Sequence, residues 1–234
     1  MISWVADVLR SAGLKVVELD GWQTRGRTFV PKGIVWHHTA TSVKASDSTV
    51  DRLLRDGRPD LAGPLSQLGL RRDGTFVVVA AGRANHNGYG EWGNDSIGIE
   101  AYNDGVGEPW PQAQVAAYVR GTAAICRFLG WGADRVKAHR ETDPRRKIDP
   151  AGLDMDEMRR RVTAALAQGD DDMDEATFKK WLRDVLNDKT SGRPFALDRI
   201  SHAHNYAKSA ALSSREAVAK ITALTETIKL LAAG

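Results

Sequence analysis

The sequence predicts an α/β fold, a mixed central sheet covered by helices, followed by an all-helical C-terminal region. Three observations predict it. Short apolar runs of strand length alternate with longer stretches of helical periodicity. Strands interleaved with helices imply a sheet with helical cover. The composition also breaks sharply near residue 169, where Gln-Gly-Asp-Asp-Asp-Met (168–173) separates two helical patterns.

Along the chain, residues 33–38 (Gly-Ile-Val-Trp-His-His), 75–81 (Thr-Phe-Val-Val-Val-Ala-Ala) and 96–102 (Ser-Ile-Gly-Ile-Glu-Ala-Tyr) read as buried strands. Residues 112–129 place Val115, Tyr118, Val119, Thr122, Ile125, Cys126 and Leu129 on one helix face, with Gly130 at the C-cap position. Residues 135–139 form another strand, ending at His139. Asp154 with Glu157 three positions later is a capping-box pattern, opening a helix through Met158, Val162 and Leu166 to Gly169. The expected division is therefore a domain over 1–169 and a helical region over 170–234. In the latter, positions 200, 203, 207, 210, 214, 217, 221, 224, 228 and 231 are Ile, Ala, Ala, Ala, Ser, Ala, Ile, Leu, Ile and Leu, a heptad seam. Such a seam serves self-association, a homo-oligomer, or folds back on a shorter helix around Phe178 and Trp181; self-association is the expectation adopted.

Composition narrows the chemistry. With 42% hydrophobic and 27% charged residues, the chain is an ordinary globular one. Its 33 basic and 30 acidic side chains leave a net charge of +3, too little for a nucleic-acid surface. No run of 18 apolar residues provides a membrane span, and no basic segment followed by an apolar one opens the chain. Cytoplasmic synthesis without a signal peptide is the expectation. One cysteine, Cys126, makes neither an internal disulfide nor a thiolate cage, so any metal must be held by histidine and carboxylate.

Strand alternation puts Val35, His37 and Thr39 on one side and Ile34, Trp36 and His38 on the other, so only one of the paired histidines faces a given site. His139 is followed by a loop rich in proline and charge that carries Asp149 ten positions on. Two imidazoles and a carboxylate are a recurrent ligand set for catalytic zinc. Lys147 lies two residues before Asp149, where a cation beside a metal stabilises an oxyanion.

Ile-Val-Trp-His-His-Thr-Ala-Thr (34–41), Arg-Asp-Gly-Thr (72–75), Ala-Asn-His-Asn-Gly (84–88), Asn-Asp-Ser-Ile-Gly-Ile-Glu (94–100) and Ala-His (138–139) with Arg-Lys-Ile-Asp-Pro (146–150) follow one another in this order. Over roughly residues 30–166 the chain resembles the zinc-dependent N-acetylmuramoyl-L-alanine amidases of the type 2 amidase and peptidoglycan-recognition superfamily, most of all a bacteriophage endolysin. The resemblance implies a Zn2+ site of His37, His139 and Asp149, and peptidoglycan as substrate. It also implies Glu100 as general base, Lys147 beside the metal, and His86 with Asn87 contacting substrate. An endolysin would act on the cell wall after release. His38 is expected to orient a neighbour or pack beneath the sheet. Where many members carry a tyrosine, this chain reads Pro-Leu-Ser-Gln-Leu-Gly-Leu (64–70), which shifts weight onto Glu100 and Lys147. The rival readings are a peptidoglycan-binding module that does not cut, and a glycosidase, for which Glu100 has no evident carboxylate partner.

Overall fold

The computed structural model describes residues 1–168. The chain forms α1 (Val5–Ser11), β1 (Val16–Glu18), β2 (Ile34–His38), α2 (Asp47–Asp56) and a small hairpin of β3 (Gly57–Arg58) and β4 (Leu61–Ala62). It continues through β5 (Leu68–Leu70), β6 (Phe76–Val78), β7 (Ile97–Ala101), α3 (Gln112–Leu129), β8 (Val136–Ala138), the short α4 (His139–Thr142) and α5 (Met155–Gln168). The main sheet has the order β1-β6-β5-β7-β2-β8. Only β5 and β6 pair antiparallel within it, so the sheet is mixed, as the interleaving predicted.

β2 lies inside this sheet between β7 and β8, and its five residues are all buried. The pleat sorts them. Ile34 and Trp36 join Leu68, Leu70, Ile97 and Ile99 in a core shared with α1, α3 and α5. On the opposite face, Val77, Val79 and Tyr102 pack with Val50 and Leu54 of α2, and His37 projects to that side.

Helix α3 is fastened to β2 at the residue before His37 and at His37 itself. The Trp36 indole stacks on the Tyr118 ring with centroids 3.7 Å apart, and its Nε1 donates to Thr122 Oγ1 at 2.9 Å. The Tyr118 hydroxyl accepts the backbone N–H of His37 at 2.9 Å and donates to the Ile99 carbonyl at 2.7 Å. The bounds of α3 are those the periodicity predicts, Cys126 is fully buried with its thiol pushed up to about 12 by desolvation, and Gly130 ends the helix at φ +66°. Only Gly, and occasionally Asn or Asp, adopts that conformation cheaply.

Differences from expectation have local causes. The strand expected over 75–81 stops at Val78, because Ala81 bonds instead to Trp22 and Ile2 of the N-terminal segment. His139 opens α4 rather than ending a strand: Glu141 Oε2 accepts the Ala138 N–H at 2.7 Å and curls the chain. Of the capping box at Asp154, one half forms. Asp154 Oδ1 accepts from Asp156 and Glu157, while the Glu157 carboxylate turns to Arg160. The acidic linker, the helix around Phe178 and the seam over 200–231 lie outside the described residues.

Replacing Tyr118 by Phe preserves the stack on Trp36 and removes the hydroxyl, leaving the His37 N–H and Ile99 carbonyl without it. Urea unfolding should show a loss of about 1–3 kcal/mol; an unchanged midpoint would show that the strand does not depend on this bond.

Candidate metal centre

His37 Nδ1, His139 Nδ1 and Asp149 Oδ2 form a triangle, each pair 3.0 Å apart. The three residues come from β2, from the first position of α4 and from the loop that follows. That loop is tied down on both sides of its carboxylate. The Arg140 N–H donates to the Asp149 carbonyl at 2.9 Å, and its guanidinium donates to the carbonyls of Pro150 and Leu153. On the far face of β2, His38 Nδ1 accepts the Ala151 N–H at 3.1 Å. Strand alternation thus separates the two histidines: His37 enters the triangle, and His38 orients the loop that completes it.

Hydrogen bonds alone do not satisfy this donor set. Asp149 only accepts, so protonating both Nδ1 atoms would set two N–H groups against each other, and leaving one bare would aim its lone pair at the carboxylate. One small cation answers all three, since atoms this close can share ligand bonds of about 2.0–2.1 Å. The electrostatics suit the same role. Burial lowers the His37 pKa to about 4 against the opposing pull of Asp149, so the imidazole is neutral in ordinary buffers. Burial pushes the Asp149 carboxyl up, but the imidazoles of His139 and His37 beside its Oδ2 outweigh it and hold the group well below the usual carboxylate range. Among the described residues, these three form the histidine and carboxylate cluster able to hold a metal.

Glu100 sits directly beside His37 in the β2–β7 register, with Oε1 4.0 Å from His37 Nδ1. Its Oε2 is buried and has no hydrogen-bond partner. Desolvation, then the negative charge of Asp149, push its pKa up to about 8. Lys147 is half-buried, and its positive charge lowers the pKa of both Glu100 and His37.

His86 and Asn87, expected to contact substrate, are held by bonds within the domain. Both are buried. His86 bridges His37 Nε2 and the Ser96 carbonyl at 3.0 Å each. Asn87 Oδ1 accepts from Thr142 Oγ1 at 2.8 Å while its Nδ2 donates to the Glu91 carbonyl, stapling its loop to α4.

A family description, N-acetylmuramoyl-L-alanine amidase, matches residues 26–152, more than half of the chain and the whole of this cluster. The chain belongs to that amidase family. Solved structures share the amidase fold. The endolysin N-acetylmuramoyl-L-alanine amidase LysCS from Clostridium intestinale URNW aligns with a TM-score of 0.50 and 19% identity, over 63% of this chain and 95% of that one. LysC, an N-acetylmuramoyl-L-alanine amidase from the same organism, gives 0.50 and 19% over 63% and 97%. A selenomethionine AmpD derivative gives 0.50 and 24% over 64% and 94%. Comparison with curated proteins gave no match.

Three supports of the cluster were not anticipated from sequence: the Tyr118 hydroxyl, the Arg140 staple and the His86 bridge; His38 was expected to orient a neighbour, and that neighbour is Ala151. Gln67, in the segment where many members carry tyrosine, is fully buried; its Oε1 accepts the Gly98 N–H at 2.7 Å and its Nε2 donates to the Gly82 carbonyl. It braces β7 next to Glu100 and offers nothing to solvent.

A pH test follows from Glu100. Its folded pKa of about 8 lies above the ordinary value of 4.5, so the stability it contributes is complete below about pH 4.5 and lost as pH rises through about 8. Measured in urea with metal removed, wild-type stability relative to Glu100→Gln should fall by at most about 1.4 kcal/mol per pH unit across that window, then level off. The opposing titration of His37 is common to both proteins and cancels. Parallel stability curves would show that Glu100 is not perturbed.

Proposed function

We propose that the chain is a zinc enzyme hydrolysing the amide between the lactyl group of N-acetylmuramic acid and L-alanine of the peptidoglycan stem peptide, with His37, His139 and Asp149 as metal ligands. The observation that carries this is the 3.0 Å triangle of ligand atoms with an unpartnered carboxylate oxygen at its edge. Zinc held by these three residues would polarise a carbonyl and lower the pKa of a water to about 7. The chain's own residues supply the rest. Glu100, as the carboxylate that the charge of a cation held by His37, His139 and Asp149 would favour, takes a proton from the attacking water at Oε2 and delivers it to the departing alanine nitrogen. Lys147 offsets the negative charge that grows on the carbonyl oxygen as the C–O bond forms. The C–N bond then breaks, leaving a muramyl carboxylate and a free alanine amine. A module that only bound peptidoglycan would have no use for an orphaned buried carboxylate beside three converging ligands.

Every residue in this scheme precedes position 150, so catalysis is assigned to residues 1–169. Residues 170–234 are assigned to targeting or to self-association through the heptad seam, which would prolong residence on a polymeric wall. The reading extends to an endolysin of bacteriophage origin that reaches the wall after release.

Purified peptidoglycan digested with the full chain should release L-alanine amino groups and no new reducing ends, and a chelator should stop it. New reducing ends would mean glycosidase chemistry. His37→Ala, His139→Ala and Asp149→Ala should each lose stoichiometric zinc, whereas Glu100→Gln should retain zinc and fold and lose about 10²–10⁴-fold in turnover.

A chain ending at Gly169 should still cleave soluble muropeptides. Loss on whole walls alone would assign the tail to targeting, and loss on both substrates would put the domain boundary in the wrong place.

A further inference from the structure

We infer that His86 is a positioning residue that selects the tautomer of His37 and so keeps His37 Nδ1 ready for a cation; this rests on the reading of His37, His139 and Asp149 as a metal site. The argument starts at the Ser96 carbonyl, which only accepts. It lies 3.0 Å from His86 Nε2, so that nitrogen carries the proton. The other nitrogen, His86 Nδ1, lies 3.0 Å from His37 Nε2. His86 is buried, and among the described residues no carboxylate touches it, so a second proton would bury an unpaired charge. His86 Nδ1 is therefore bare and accepts, and His37 Nε2 must donate. The lone pair of a neutral His37 then resides on Nδ1, facing His139 and Asp149.

The surroundings hold this relay in place. The His86 N–H donates to Asn94 Oδ1 at 3.1 Å, and the same oxygen accepts the Asn87 N–H at 2.8 Å. The His37 and His86 rings meet edge to face at 88°. A Cβ on residue 98 would come within 2.7 Å of the His86 ring, so glycine in Ser-Ile-Gly-Ile-Glu makes the room His86 occupies. Two hydrogen bonds thus carry the acceptor character of one backbone carbonyl to a ligand nitrogen. Such supports of metal ligands are worth about 10–100-fold in affinity.

The test uses the full chain, Zn2+ affinity by competition with a chromogenic chelator, and histidine 15N NMR of the metal-free protein. His86→Leu should weaken zinc about 10–100-fold and let His37 populate the tautomer protonated at Nδ1. His86→Asn, whose amide oxygen can stand where Nδ1 stands, should recover most of the affinity and the single tautomer. His139→Ala, a ligand control, should lose binding altogether. Wild-type affinity with one tautomer in His86→Leu, alongside loss in the control, would overturn the relay and leave the metal site standing. Absence of stoichiometric zinc in the wild type, or wild-type affinity in the control, would overturn both. If His86→Leu does not fold, His86→Asn decides: near-wild-type affinity supports the relay, and a tenfold loss in a folded protein overturns it.

Discussion

The hydroxyl of Tyr118 is where the large core and the site meet. It bonds the backbone of β2 at His37 and the neighbouring strand at Ile99, while its ring stacks on Trp36. Helix α3, which carries it, is buried along most of its length against the face opposite the site. The hydrophobic packing that stabilises the domain therefore also fixes the origin of its chemistry. His139 and Asp149 approach a strand that is already immobile, and Arg140 and His38 determine how the loop between and beyond them closes.

Burial bears on the protonation of His37, His86, Glu100 and Asp149, with opposite results. It keeps His37 and His86 neutral, so their nitrogens can serve as donor or acceptor in a defined order. It pushes the Glu100 pKa up to about 8 while the three ligand atoms hold no cation. Asp149 experiences the same desolvation and remains ionised, because two imidazoles reach its oxygen. Partner geometry, rather than residue type, separates the two carboxylates.

What the sequence made legible was what repeats or alternates. The 18-residue α3 shows five turns of one face and ends at a glycine, so its bounds could be read directly. Parity along β2 told His37 from His38 before any contact was known. The three-residue strands β1 and β5 are too short for a period to show, and the ten-residue α2, capped by the Ser46 side chain, was not singled out. His139 was placed at a strand end because the capping Glu141 competes through a side chain, which apolar pattern does not register. The convergence of His37, His139 and Asp149 came from resemblance, since residues 102 and 112 positions from His37 carry no local mark of proximity. The bonds that hold the loop of His86 and Asn87 run back through Asn94 and Thr142, which is a tertiary fact no local pattern carries.

The adjacent histidines of β2 also bear on how the domain tolerates change. A slip of the strand by one residue in one direction would still present an imidazole to the cluster, His38 in place of His37, but Thr39 would then stand where the Ala151 N–H seeks its acceptor. A slip the other way would thrust Trp36 among the ligands and empty its stack on Tyr118. Neither error is neutral, and they fail differently, the first by loosening the Asp149 loop and the second by opening the core. Insertions in the loops flanking β2 are thus confined to those that leave its pairing with β7 and β8 intact, so variation in this chain has room at the loop tips and little in the five residues between them.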